Sequence, residues 1–199
     1  MERSGTANPK QAKVVSEIKT AAGRSTQILN DLLDLTRLSF GTEIPIAKTT
    51  IDIASLCQEI ADELRAINAD RRFEVRHDGD PIASWDRARL GQVLTNLLGN
   101  AVQYGDLSSP ITVRVAGADP DVVTITVHNL GSPISPETQK LIFISWARGQ
   151  DVNNPTEHGT HLGLGLYFAK LIVEAHGGEI SVTSNEQTGT TFSFRLPRI

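Results

Sequence analysis

Residues 96–105 read NLLGNAVQYG, which sets Asn96 and Asn100 four positions apart on one face of a helix and turns Leu94, Leu97 and Leu98 inward. That helix is expected to run from about Asp86 to Tyr104. An amide oxygen is a hard neutral ligand that Mg²⁺ accepts beside phosphate oxygens and water, so the paired carboxamides suit a nucleotide-bound metal better than a bare metal cage. The same spacing also fits a face that only meets solvent.

Two further segments extend this pattern downstream. Residues 127–134 (VHNLGSPI) lie at the end of a predicted central strand, where His128, Asn129 and Gly131 emerge at the sheet edge. A glycine there lets the backbone approach a flat ligand. Asn129 carries an acceptor and a donor side by side, the pattern that meets an adenine amino group and ring nitrogen; a plain strand-to-turn transition is the alternative. Residues 159–170 (GTHLGLGLYFAK) open the last helix after a polar loop. Gly159, Gly163 and Gly165 leave backbone N–H groups uncovered at a helix N-terminus, which attracts phosphate through the orphan donors and the dipole. A flexible loop feeding a helix is the competing reading, although glycines at a helix start cost stability.

Around these segments the chain divides in two. From Pro9 to about Leu38, Val14, Ile18, Ala21, Ser25, Ile28, Leu32 and Leu35 recur at alternating steps of four and three, a heptad seam. A second row, Val15, Ala22, Leu29 and Leu33, widens it toward a bundle helix with two neighbours. Its partner is expected in another chain or in a helix preceding residue 1 of a longer parent. Gly41 and Pro45 end this helix, placing a boundary between units 1–42 and 43–199. In the second unit Asp52 caps a helix over 53–67, a strand covers 72–77 and residues 78–81 turn. Strands 111–115 and 122–128 form an antiparallel pair. A short helix over 136–142, a mobile polar loop over 148–161, a helix over 162–176 and a hairpin of 179–184 with 190–196 follow. The unit is α+β, a mixed sheet with helices on one face.

Composition removes several classes of function. With 199 residues, 39% hydrophobic and 21% charged, the chain has the makings of a globular domain plus an extra element. A formal charge of -4 and no basic run longer than Arg71-Arg72 argue against a nucleic-acid surface. The single cysteine, Cys57, makes no internal disulfide, and no Cys/His spacing resembles a zinc site. No stretch approaches the ~18 apolar residues of a membrane span and no signal peptide opens the chain, so a cytoplasmic location without membrane contact is expected.

The three segments in this order, with IFISWARG (142–149) between the second and third, resemble the ATP-binding catalytic domain of sensor histidine kinases over about residues 46–199. The resemblance implies a two-layer α/β sandwich of the histidine kinase, gyrase and chaperone ATPase type, with a left-handed βαβ unit and an ATP lid, preceded by a long bundle helix. It implies an ATP-dependent protein histidine kinase with ATP and Mg²⁺ as cofactors. Asn100 would be the Mg²⁺ ligand, Asn96 its neighbour, and Gln103 and Tyr104 would follow them along the nucleotide. Asn129 takes the adenine-reading position, Gly131 the first glycine box with Ile134 beside it, and Phe143 and Arg148 the phenylalanine box. His161, Leu162, Gly163, Leu164 and Gly165 belong to the second glycine box. Residues 9–42 look like the second helix of the dimerisation bundle. This implies a homodimer through that helix, the phosphoacceptor helix or domain of the parent kinase as a partner, and a response regulator as an indirect one. The wording VHNLGSPI followed by HLGLGLYFAK is most similar to the bacteriophytochrome-like type.

Departures accompany the matches. Asn129 replaces the usual Asp, turning a charge-assisted bond into a neutral one. Pro133 stands at a usual glycine, Gln103 where Lys or Arg is common, and His161 at another usual glycine. The family's acceptor His is followed by an acidic residue and then by Pro. His77 comes nearest, before Asp78 and Pro81, but it falls within the ATP-binding domain. No acidic residue follows His128, His158, His161 or His176, and His176 is expected to favour a helix C-terminus through the dipole. No catalytic acceptor is therefore expected in this chain. Competing readings are a related ATPase or serine kinase, which places Glu where Asn96 stands, and a signalling or scaffold module with a degenerate nucleotide site.

Overall fold

The two long helices start where carboxylates cap them. Asp52 accepts from the N–H groups of Ala54 and Ser55 at 2.9 and 3.1 Å and opens α1 (Ile53–Ile67). Asp86 accepts from Arg89 N–H at 3.0 Å and opens α2 (Arg87–Tyr104). Each side chain satisfies donors that a helix start leaves open. This computed structural model describes residues 44–144 and 164–198, together with Leu29 and Leu33. Two shorter helices, α3 (Pro136–Leu141), capped by Ser135, and α4 (Gly165–Ala175), complete the second unit.

Five strands make the main sheet: β2 (Phe73–Gly79), β4 (Ile111–Gly117), β5 (Val122–Asn129), β6 (Glu179–Asn185) and β7 (Gly189–Pro197), in the order β2-β4-β5-β7-β6. β2 and β4 run parallel and every other neighbouring pair is antiparallel. The parallel pair needs a long crossover, and α2 lies within it. Strand alternation sends Val113 and Val115, Val123, Ile125 and Val127, and Phe192, Phe194 and Leu196 to one buried face. Leu90, Leu94, Leu97 and Leu98 of α2 and Phe168 and Ile172 of α4 are buried with them. The opposite face is polar, as in the cross-strand row Arg76, Arg114, Thr126, Ser193 and Ser181. The architecture is the expected α+β, a mixed sheet with helices packed on it.

A separate two-stranded sheet, β1 (Thr49–Asp52) with β3 (Ile82–Trp85), is absent from the sequence expectation. Strands of four residues are too short to show a period, and their flanks carry cap and turn signals instead. The turn expected at 78–81 is also shorter, because β2 continues through Gly79. Gly79 sits at φ 68°, and a Cβ there would lie 2.4 Å from Ala118 N, so only glycine lets the chain reverse against β4.

Beyond β7, Arg198 knots the β2–β3 and β4–β5 turns together. Its guanidinium donates to the carbonyls of Asp119 at 3.1 Å, Ile82 at 2.9 Å and Gly117 at 2.8 Å, and also to that of Asp80. Trp85, fully buried, donates its indole N–H to Pro197 O at 2.8 Å. Cys57 is fully buried in α1, and desolvation, with the Asp52 charge adding to it, pushes its thiol up to about 12. No helix among the described residues is long and apolar enough to cross a membrane.

The chain divides into two compact units, Met1–Thr42 and Glu43–Ile199. In the first, Leu29 and Leu33 are helical, four apart, and 61% and 57% exposed. The rest of the expected helix over 9–38, like the loop over 148–161, lies outside the described residues.

Candidate functional site

Asn96, Asn100 and Tyr104 recur every four residues along α2 and share one face. At one end of that face Asn96 Nδ2 donates to Gly165 O at 2.9 Å, binding α2 to the first turn of α4. A Cβ on Gly165 would sit 3.0 Å from Asn96 Oδ1, so the bare residue is what lets the two helices close. At the other end Gly105 bridges to Gly131, and Asp106 N–H donates to Leu130 O at 2.7 Å. Asn100, half-buried, stands one turn from Asn96 and one from Tyr104. One helix thus meets the start of α4 and the end of β5, with a carboxamide between the two junctions.

Asn129 closes β5 on the helix-covered face, 5% exposed, in phase with Val123, Ile125 and Val127. Its Nδ2 donates to Leu130 O at 3.1 Å. Bare backbone crowds around it: a Cβ on Gly105 would lie 3.3 Å from Asn129 Cβ, and one on Gly189 2.4 Å from Asn129 O. Gly131 sits at φ 152°, with Tyr104 O 2.4 Å from where its Cβ would be.

Thr190 and Ser184 were invisible to motif reading. They stand beside Asn129 in one row across β5, β7 and β6, where the next row on the same face is Val127, Phe192 and Val182. Thr190 is 4% exposed, and its Oγ1 lies 2.7 Å from Ser184 Oγ. A hydroxyl in phase with Phe192, Phe194 and Leu196 was the available signal, since the strand period assigns that position to the core.

The start of α4 differs from the other helix starts. Asp52, Asp86 and Ser135 cap α1, α2 and α3, but no side-chain hydrogen bond caps α4 at Leu164, which is buried. Phe143 packs edge-on against Phe192, with ring centroids 6.2 Å apart. Ile134 N–H donates to Ser184 Oγ at 2.9 Å. Gln103 and Tyr104 are exposed on the last turn of α2. Arg148, His161, Leu162 and Gly163 lie outside the described residues.

Among the described residues, two histidines, His128 and His176, serve the fold. His77 lies on β2, and Asp78 beside it pairs with Arg114 at 2.7 Å. His128 Nε2 donates to Thr188 O at 2.8 Å and pins the β6–β7 turn. The expectation for His176 is corrected: it is 1% exposed, its Nε2 accepts from Asp86 N–H at 3.0 Å and its Nδ1 donates to Ile172 O at 2.8 Å. That bonding requires the neutral ring, and burial holds its pKa below the ordinary value. It joins the end of α4 to the start of α2 without contributing a charge. The other carboxylate oxygen of Asp86 accepts from Ala47 N–H at 2.8 Å, tying the entering segment to the same joint.

The donor set fits a cation that arrives with phosphates. Among the described residues no group of three His, Cys, Asp or Glu side chains is placed to hold a metal ion. A lone carboxamide oxygen such as that of Asn100 fills one position of an oxygen shell that phosphates and water complete.

Residues 85–199 match the family described as histidine kinase-, DNA gyrase B-, and HSP90-like ATPase, and the chain belongs to that family. It is 31% identical over 187 residues to a probable sensor histidine kinase, TcrY, of Mycobacterium tuberculosis, covering 94% of this chain and 38% of that protein. It is 33% identical over 175 residues to the sensor histidine kinase CusS of Escherichia coli, covering 87% of this chain and 35% of that protein. The catalytic domain of the histidine kinase ThkA superposes with a TM-score of 0.64 at 27% identity, covering 76% of this chain and 96% of that one. The second unit is an ATP-binding catalytic domain of histidine kinase type, and the chain spans little more than a third of the two curated relatives' length.

Proposed function

We propose that the chain is the ATP- and Mg²⁺-binding catalytic part of a two-component sensor histidine kinase, passing the γ-phosphate of ATP to a histidine outside this chain. The observation that carries this reading is the single face of α2 that touches the start of α4 through Asn96 and the end of β5 through Gly105, with Asn100 between. On this reading the phosphates lie against the α4 start, where the N-cap residue Leu164 supplies no side-chain hydrogen bond. Asn100 Oδ1 supplies the protein's ligand to the metal that accompanies them. Asn129 meets the adenine edge with its carboxamide, and the exposed ring of Tyr104 flanks the base.

Asn96 is a bracket on this reading. Its amide nitrogen is committed to Gly165 O, and a carboxamide takes no proton from water at neutral pH, so hydrolysis is not the main task. Residues 1–42 act as the second helix of a dimerisation bundle, making a homodimer and docking the acceptor helix, with a response regulator downstream. VHNLGSPI followed by HLGLGLYFAK supports a bacteriophytochrome-like subtype.

Calorimetric titration of the chain with ATP, with and without Mg²⁺, tests the reading. Asn100→Ala should remove most of the Mg²⁺-dependent affinity, about tenfold or more, and leave the unfolding temperature unchanged. No binding by the unaltered chain would overturn the reading in favour of a non-catalytic signalling module. With labelled ATP and a supplied acceptor helix, an acid-labile phosphohistidine should form on the acceptor; one mapped to any of the chain's five histidines would contradict transfer to an external site.

A further inference from the structure

We propose that Ser184 and Gln139 are positioning residues for the nucleotide, fastening the loop between β5 and α3 to the edge strand β6. The proposal rests on the ATP-binding reading above and goes beyond it, because neither side chain belongs to the motifs that carry that reading.

The loop holds Gly131 and Ile134 and is fastened at both ends: Leu130 and Gly131 meet the end of α2 through Asp106 N–H and Gly105, and Ile134 meets β6 and α3. Pro133 has no N–H to give, and Leu130 is exposed. Ile134 has both of its backbone groups held by side chains: its N–H donates to Ser184 Oγ at 2.9 Å, and its carbonyl accepts from Gln139 Nε2 at 2.8 Å. The same Gln139 nitrogen donates to Ser184 O at 2.9 Å, so one carboxamide spans loop and strand. From Ser184 the contacts continue to Thr190, the register partner of Asn129. The loop that bears Gly131 and the strand that ends in Asn129 are thereby held at a fixed distance by neutral hydrogen bonds.

Packing does not do this work. α3 has no buried residue, so its seat on the sheet depends on these bonds and on Phe143 just beyond it. The β6–β7 hairpin has its own apolar pairs, Ile180 with Phe194 and Val182 with Phe192, and stays paired without the Ser184 hydroxyl. Removing the clamp frees the loop more than it unfolds the domain. A loop held before the ligand arrives spares binding the cost of ordering it, so the loss appears in affinity.

The test uses the full chain, ATP with Mg²⁺, calorimetry, thermal unfolding and amide hydrogen exchange. Ser184→Ala and Gln139→Ala should each raise the ATP Kd roughly three- to tenfold, the scale of one lost hydrogen bond. The nucleotide-free unfolding midpoint should stay within about 3 °C. Ser184→Thr, which keeps the hydroxyl, should restore the affinity. Because both side chains hold Ile134, the double variant should bind more tightly than the product of the two single effects predicts. The Ile134 amide should exchange faster in each Ala variant and recover with saturating ATP. Unchanged Kd in both Ala variants, with the unaltered chain binding ATP, would overturn the clamp and leave the family reading standing. Failure of the unaltered chain to bind would overturn both. If Ser184→Ala does not fold, Gln139→Ala, at the half-buried position of α3, decides alone.

Discussion

The two ends of β5 are built on opposite principles. At its start, Arg198 gathers carbonyls from the β2–β3 and β4–β5 turns, and Gly117 is bare because Asp80 O occupies the space a Cβ would need, 2.0 Å away. At its finish, Gly105, Gly131 and Gly189 surround a buried carboxamide with backbone alone. Glycine serves close packing at both ends, but a cation ties one end shut and a loop held by neutral bonds borders the other. Stability and recognition can therefore be perturbed separately along one strand.

Arg198→Ala should have the largest effect, on stability alone. It strips charge-assisted bonds from a side chain only 13% exposed, and a loss of about 3 kcal/mol should lower the melting temperature by roughly 10 °C. ATP affinity measured below that temperature should be unchanged; an equal loss in affinity would show that the two ends are coupled.

Gly131→Ala should do the reverse. The new Cβ meets Tyr104 O, so the loop must move, and ATP affinity should fall at least tenfold with a stability loss of about 1–2 kcal/mol. Calorimetry and chemical denaturation on one sample separate the two numbers.

A smaller effect tests the joint between α2 and α4. The pKa of His176 lies below its unfolded value of 6.5, so as pH falls the unfolded chain takes up the proton first. Its contribution is complete above pH 6.5 and declines below it, until the folded ring also protonates. The facing groups are Asp86, which favours the charged ring, and Lys48, which opposes it; desolvation outweighs both. Melting temperatures from pH 8 to 5 should fall, and His176→Gln should start lower and flatten that slope. An unchanged slope would remove His176 from the acid response.

The smallest effect lies on α2 itself. A Cβ at Gly91 or Gly99 meets no atom among the described residues within 4 Å, so Ala at either position should stabilise the helix by about 0.5–1 kcal/mol. Gly99 is one residue from Asn100. If the face is used as proposed, Gly99→Ala should weaken ATP binding while Gly91→Ala does not.

What could be read in advance follows from how far each signal reaches along the chain. α2, β5 and β7 were legible because caps, leucine spacing and alternation are local. β1 and β3 were not, since their pairing is all that defines them. Asn129 and Gly131 were legible as a motif, and residues 85–199 fall in the family that motif suggested. Thr190 and Ser184 gain meaning only from register across three strands, and the neutrality of His176 depends on Asp86, 90 residues away. The bracket between Asn96 and Gly165 likewise needs two helices brought together.

Cys57 has a practical consequence. The chain's one thiol is sealed in α1 and remains protonated at any ordinary working pH, so maleimides and oxidants should spare it in the folded protein. A cysteine placed at exposed Gln187, beside the Asn129 end of the sheet, would be the one reactive sulfur. A fluorophore attached there reports on that end of the molecule from an otherwise native background.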